Sequence, residues 1–107
     1  MAITNTKLES AAATEIFNTP LLEEHAITTI FFCNTSDTTD TEITIYIPAA
    51  GYGPGIDNAV IKSLSLPKNE TFVFDAEKLI LFNGDSIHAQ ATEDLIVVAT
   101  VSSVKTS

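Results

Sequence analysis

Ile80-Leu81-Phe82-Asn83-Gly84-Asp85-Ser86-Ile87-His88-Ala89 reads as an apolar strand, an Asn-Gly turn and a second strand in which apolar and polar residues alternate. Asn and Gly both accept the positive φ that a type I′ turn requires, so Asn83-Gly84 between two such segments is the strongest short-range hairpin signal in the chain. The same grammar of short apolar strands cut by turn residues extends in both directions. It specifies an all-β domain and carries little chemistry of its own.

On the N-terminal side, residues 25–34 form a strand whose centre, Ile30-Phe31-Phe32-Cys33, is apolar at successive positions. Such a run implies burial on both faces, either between two sheets or between a sheet and a neighbouring subunit. Residues 34–40 are a polar loop of Asn, Thr, Ser and Asp, whose side chains bond their own backbone. Residues 41–48 give the cleanest alternation: Ile43, Ile45 and Ile47 point one way, and Glu42, Thr44 and Tyr46 the other. Residues 49–58, with Gly51, Gly53, Pro54 and Gly55, make the longest excursion between strands.

Residues 60–66, 70–74, 78–82, 85–92 and 95–104 read as further strands, with a corner or single helical turn at Asp75-Ala76-Glu77. Residues 15–18 are a short first element stopped by Thr19-Pro20, and residues 8–14 suit either a strand or a helical turn. Seven to eight short strands, with turns every 8–12 residues or so, specify an antiparallel β-sandwich, jelly-roll or Ig-like. One domain spans residues 1–107, with residues 1–19 as a candidate N-terminal arm. At this length, with 45% hydrophobic residues, the chain buries about two-thirds of its unfolded surface without a metal or disulfide.

Charge narrows the partners. Fourteen Asp and Glu against five Lys, and no Arg, give a formal net charge of -9. Nucleic-acid backbones and anionic membranes are bound by clustered cations, so neither is an expected partner. Cys33 is the single cysteine and reads as a small buried apolar residue. The start Met1-Ala2-Ile3-Thr4 lacks the basic and apolar regions of a secretory signal, and no apolar run approaches the roughly 20 residues that cross a bilayer. Asn34-Thr35-Ser36 and Asn69-Glu70-Thr71 match the glycosylation sequon and read as chance matches in a Thr-rich chain.

Four constellations invite a chemical reading. Asp37, Asp40 and Glu42 supply oxygen ligands but lack the Gly and the spaced acidic ladder of an EF-hand. Gly51-Tyr52-Gly53-Pro54-Gly55 is Gly-rich like a phosphate cradle, but Pro54 has no amide donor and no helix starts there. His88 lies beside Ser86 and Gln90 on a polar strand face, and no Gly-x-Ser-x-Gly motif accompanies it. His25 and His88 offer no metal-ligand spacing. The expectation is a non-enzymatic protein with no catalytic, cofactor-binding or metal-binding residues.

Five segments carry a resemblance. Thr28-Thr29-Ile30-Phe31-Phe32-Cys33-Asn34, Thr44-Ile45-Tyr46-Ile47-Pro48, Leu64-Ser65-Leu66-Pro67, Lys78-Leu79-Ile80-Leu81 leading to Gly84-Asp85-Ser86-Ile87, and Val98-Ala99-Thr100-Val101-Ser102 are similar to small β-sandwich virion structural proteins of tailed bacteriophages, marine and cyanobacterial ones in particular. The resemblance spans residues 25–104. It implies a β-sandwich subunit that assembles on the particle, made in the host cytoplasm and located in the virion; with a compact, acidic chain indifferent to nucleic acid, the expectation is a capsid decoration or cement protein. Its partners would be like copies, as a homotrimer or similar ring, and the major capsid protein or other virion proteins.

A neck, tail or baseplate accessory subunit is the alternative within that class. Outside it stands a carbohydrate-binding or adhesin module, against which count the absence of Trp and the presence of only two Tyr, Tyr46 and Tyr52. A cupin-like enzyme would need a cluster of His ligands. The expected contact residues are Ile3, Leu8 and Phe17 in the arm, and Tyr52 and Pro54 in the 49–58 loop, since aromatic anchors are favoured at interface centres.

Overall fold

The structure is a computed structural model that describes residues 2–106, with side chains described except at positions 2 and 76–78. The described residues form eight strands: β1 (Ala2–Lys7), β2 (Thr14–Asn18), β3 (Glu24–Asn34), β4 (Thr41–Tyr46), β5 (Ala59–Leu66), β6 (Thr71–Phe82), β7 (Ser86–Ala91) and β8 (Val97–Lys105). They form two antiparallel four-stranded sheets, ordered β1-β8-β3-β6 and β2-β7-β4-β5. A short 3-10 helix, Ile56–Asn58, interrupts the loop before β5.

The pairing has a simple rule. β1 pairs with β8, β2 with β7, β3 with β6 and β4 with β5, as in one long two-stranded ribbon closed by residues 47–58. Rolling that ribbon brings β8 against β3 and β7 against β4. This is the jelly-roll arrangement, so of the two sandwich types expected from sequence the Ig-like one is set aside.

Alternation places the core between the sheets. Ile27, Ile30 and Phe32 of β3 and Ile43 and Ile45 of β4 are fully buried, as are Ile87 and Ala89 of β7 and Val97 and Ala99 of β8. Large residues sit opposite small ones: Phe32 faces Ala99, Ile43 faces Ala91 and Ile45 faces Ala89. Phe32 also stacks on Phe72 of β6, ring centroids 6.3 Å apart. Filling each gap beside an alanine with a neighbour's bulk is how a thin sandwich reaches close packing.

Asn83-Gly84 adopts the expected turn and a different topology. Both residues have positive φ, 47° and 92°, and Asp85 N–H donates to the Phe82 carbonyl, which closes a type I′ turn. Yet β6 and β7 lie in different sheets, so the turn is an inter-sheet corner and no hairpin forms. The backbone explains it: Asn83 and Gly84 N–H donate to the carbonyls of Glu23 and Thr19, and the Asn83 side chain accepts from Leu22 N–H. The turn docks on the β2–β3 connection, which pulls its two strands apart.

Three other expectations change. Residues 1–19 are no arm: β1 and β2 are edge strands, one in each sheet, and Met1 lies outside the described residues. Residues 71–74 and 78–82 belong to one strand, β6, and the irregularity expected at 75–77 is a bulge within it: its register against β3 shifts between Asp75 and Leu79, opposite Thr28. Against β8, Thr28 is the extra residue on β3, and it donates its hydroxyl to the Ser102 carbonyl, which satisfies that acceptor within the bulge. The apolar run Ile30–Cys33 is two-faced, as its composition required, but only one face is covered by the chain itself: Ile30 and Phe32 point into the core, while Phe31 points outward and is exposed.

Candidate functional site

The two ends of the sandwich differ in chemistry. At one end the β2–β3 connection, the 47–58 loop and the Asn83-Gly84 corner meet. Ala50 N–H donates to Asp85 Oδ1, Ser86 N–H to the Pro48 carbonyl, and Thr19 N–H to the Asp85 carbonyl. This end presents Leu21, Leu22, Tyr52 and Ile56 to solvent, with Leu22 83% and Tyr52 74% exposed. Exposed Pro20 and Pro54 stand beside them in the chain.

Backbone geometry holds this apolar tip in place. Leu22 has φ 65°, a left-handed conformation that costs a side-chain-bearing residue about 1–2 kcal/mol. Leu95 at the opposite end is held in the same way, with φ 60° and 51% of its surface exposed. Gly84 has φ 92° and a Cβ there would lie 3.2 Å from Ala50 Cβ, so glycine permits the close approach of the corner to the 47–58 loop. Asn58 fixes the rest of that loop, accepting from Gly55 N–H and donating to the Gly53 carbonyl.

The opposite end joins the 8–13, 35–40, 67–70 and 92–96 connections, through Leu95 N–H to the Leu8 carbonyl, Thr35 N–H to the Ile96 carbonyl and Asn69 N–H to the Ser36 carbonyl. It carries exposed Glu9, Asp37, Asp40, Glu70, Glu93 and Asp94 against Lys68, with Leu95 its exposed large apolar residue. One end therefore gathers the exposed apolar residues, with Asp57 its exposed acid and Glu23 and Asp85 partly buried, and the other is acidic. Since the connections alternate between ends, residues far apart in sequence build each one.

The sheet faces differ too. On the outside of β1-β8-β3-β6, Phe31 lies opposite Val73 of β6 and Thr100 of β8, and Ala26 lies between Ile80 and Val104. Phe31, Val73, Ile80 and Phe82 are 40–51% exposed. The outside of β2-β7-β4-β5 carries Glu15, Glu42, Thr44, Ser65, His88 and Gln90, and there Tyr46 and Val60 are the large residues.

Of the expected contact residues, Ile3, Tyr52 and Pro54 are exposed. Leu8 is 0% exposed and part of the core, so it is withdrawn as a contact residue: its N–H and carbonyl tie it to Val97 and Leu95, and its side chain closes the acidic end of the sandwich. Phe17 is half-buried with its ring edge-on to His25, centroids 5.6 Å apart, and it serves the interior. Leu21, Leu22 and Ile56 were not singled out from sequence. An adjacent Leu pair directly after Thr19-Pro20, outside any alternating segment, was the signal available.

The other constellations resolve as local structure. Asp40 Oδ1 accepts from Lys68 N–H, linking two loops, and no His, Cys, Asp and Glu group suited to a metal occurs among the described residues. In the Gly-rich loop, Tyr52 N–H is already bonded to Ala49 and Gly55 N–H to Asn58. Asn34 is fully buried, which closes its sequon to glycan attachment on the folded chain.

Ser86 Oγ and His88 Nε2 lie 3.1 Å apart, as residues i and i+2 on one strand face. Ser86 is 5% exposed, so this pair has little access to a substrate. His25 Nε2 is 3.0 Å from Glu23 Oε1, and Lys105 Nζ is 3.7 Å from Glu23 Oε2. The hydrogen bond with His25, aided by the Lys105 charge, holds the Glu23 carboxyl below its ordinary value. Near the tip a cleft of about 240 Å³ is lined by Ile47, Pro48, Leu79, Leu81 and Asp85. The Asp85 oxygens in it already accept from Ala50 and Phe82 N–H.

No protein-family model, curated protein or solved structure matches the chain.

Proposed function

We propose that this chain is a non-enzymatic structural protein of a phage particle, a capsid decoration protein that seats its apolar end on coat subunits. The observation that carries this reading is the end-to-end polarity. Leu21, Leu22, Tyr52 and Ile56 crown one end, with Asp57 its one exposed carboxylate among the residues of its connections, and six exposed carboxylates crown the other. A protein that docks end-on needs an apolar foot to exclude water at the contact and a charged head to stay solvated outward.

The resemblance of residues 25–104 to virion proteins supplies the particle, and the surface supplies the orientation. Tyr52 is the anchor, because a large, stiff, amphipathic ring gains much contact area for little lost entropy. A net charge of -9 keeps the subunit off nucleic acid and crowded copies apart except where they touch through uncharged surface. Decoration by like copies lets many modest contacts sum over a shell.

The test is quantitative mass spectrometry of purified particles. A copy number comparable with that of the coat protein supports decoration. One matching the tail proteins moves the chain to a neck, tail or baseplate position, and absence from particles overturns the virion reading. Leu22→Asp and Tyr52→Ala are then expected to release the folded subunit from the particle.

A further inference from the structure

We infer that the outer face of the β1-β8-β3-β6 sheet is covered by the same face of a second copy of this chain. This rests on the self-association in the reading above and names the surface that makes it.

Charge is the first argument. Across the two central strands the outward residues are Val98, Thr100, Ser102 and Val104 of β8, and Ala26, Thr29, Phe31 and Cys33 of β3, with no charge among them. Among the described side chains, Lys7 and Asp75 sit on the two edge strands, and Glu24 at one end; Glu77 and Lys78 of β6 lie outside the described side chains. The other sheet face and the acidic end carry more carboxylates. For a chain of net charge -9, the uncharged centre of this sheet face is where two copies approach with least like-charge repulsion.

Area is the second. Strands of 6, 9, 11 and 12 residues, at about 3.3 Å per residue and about 4.8 Å spacing, give a face of about 600 Å² before side-chain relief. With that relief it approaches the roughly 800 Å² per partner of a stable interface. Phe31, Val73, Ile80 and Phe82 stand proud on it at 40–51% exposure. Exposed rows of this kind on a monomer mark an interaction surface. Two sheets meeting through such rows pack about 10 Å apart, as the two sheets of the sandwich do.

Pairing one face with its own copy is isologous and closes at two. The unit is therefore a dimer, in place of the homotrimer or similar ring expected from sequence. The apolar tip lies at the end of the sandwich rather than on this face, so it stays available to another partner.

The experiment is native mass spectrometry and sedimentation equilibrium of the purified chain at roughly 100 µM, far above the micromolar dissociation constant of a modest interface. A species of twice the chain mass is expected. Phe31→Lys and, separately, Val73→Lys are expected to weaken it by about 100-fold or more, with the β-sheet circular dichroism unchanged, because both side chains point away from the core. Ser65→Lys, outside the other sheet, is expected to leave it intact. A wild-type chain that stays monomeric, or a dimer or trimer that survives both face substitutions, overturns the inference. Neither result alters the copy number in particles, so the virion reading stands or falls separately.

Discussion

Asn34 donates its side-chain amide to the Leu66 carbonyl at 3.0 Å, joining the end of β3 in one sheet to the end of β5 in the other. The same amide reaches the Thr39 carbonyl at 2.9 Å, and its oxygen accepts from Ser36 N–H at 3.0 Å. A single buried amide thus pairs three backbone groups where the acidic loops converge.

Replacing Asn34 by Ala leaves the Leu66 and Thr39 carbonyls without that donor in a buried setting. Each buried group left unpaired costs about 1–3 kcal/mol. Asn34→Ala is therefore expected to lower the unfolding free energy by about 2–4 kcal/mol, read from urea denaturation at unchanged m-value. A loss under about 1 kcal/mol would mean that the carbonyls find water.

Adjacent phenylalanines should separate sharply. Phe32 is fully buried against Phe72 and Ala99, so Phe32→Ala is expected to cost about 3–5 kcal/mol through lost burial and a residual cavity. Phe31 points outward, and Phe31→Ala is expected to cost about 1 kcal/mol or less in dilute chain. Equal losses in thermal or urea unfolding would contradict the alternation.

Two backbone positions at the tip should respond in opposite directions. Gly84→Ala adds a Cβ at positive φ and 3.2 Å from Ala50 Cβ, and is expected to destabilise by about 1–3 kcal/mol. Leu22→Gly relieves a left-handed leucine whose side chain lies in water, and is expected to stabilise by about 0.5 kcal/mol. Differential scanning calorimetry checks both. A stabilised Leu22→Gly chain that no longer joins particles would locate the reason for that leucine outside folding.

Glu23 gives the fold an acid-sensitive link. Its carboxyl is held below the ordinary 4.5 by the His25 hydrogen bond first and by Lys105 in addition. A depressed folded-state value stabilises the native chain above that ordinary value, and the contribution fades as pH falls through the lower folded one. Urea midpoints of the wild type and of Glu23→Gln are therefore expected to differ by a constant amount well above the ordinary 4.5 and to converge as pH falls through the lowered folded-state value. Added salt should narrow the gap, since Lys105 is largely exposed. A gap that widens on acidification would contradict the assignment.

Much of this was legible in the residues. The alternation of 41–48 gives the inward face of β4, Ile43 and Ile45, and Asn83-Gly84 gives its turn type. The Ile30–Cys33 run signals two apolar faces. The arm at 1–19 was misread because an edge strand pairs on one side only and needs no strong pattern of its own. Leu8 was misread for a related reason: its burial comes from the β7–β8 connection, some ninety residues away in sequence.

Sequence alone determined the class and the local geometry, because strand alternation and positive-φ turns depend on a few neighbouring residues and hold wherever those residues are placed. Tertiary structure decided which strands pair. Asn83-Gly84 would suit a hairpin equally well, and only its bonds to Thr19, Leu22 and Glu23 make it a corner between sheets. It also decided the surface: Leu22 and Tyr52 share an end, and Phe31 and Val73 share a face, because the ribbon rolls up in one way. Neither juxtaposition is written in any short stretch of chain. Both arise when distant segments bury their apolar sides together and so fix what their other sides present.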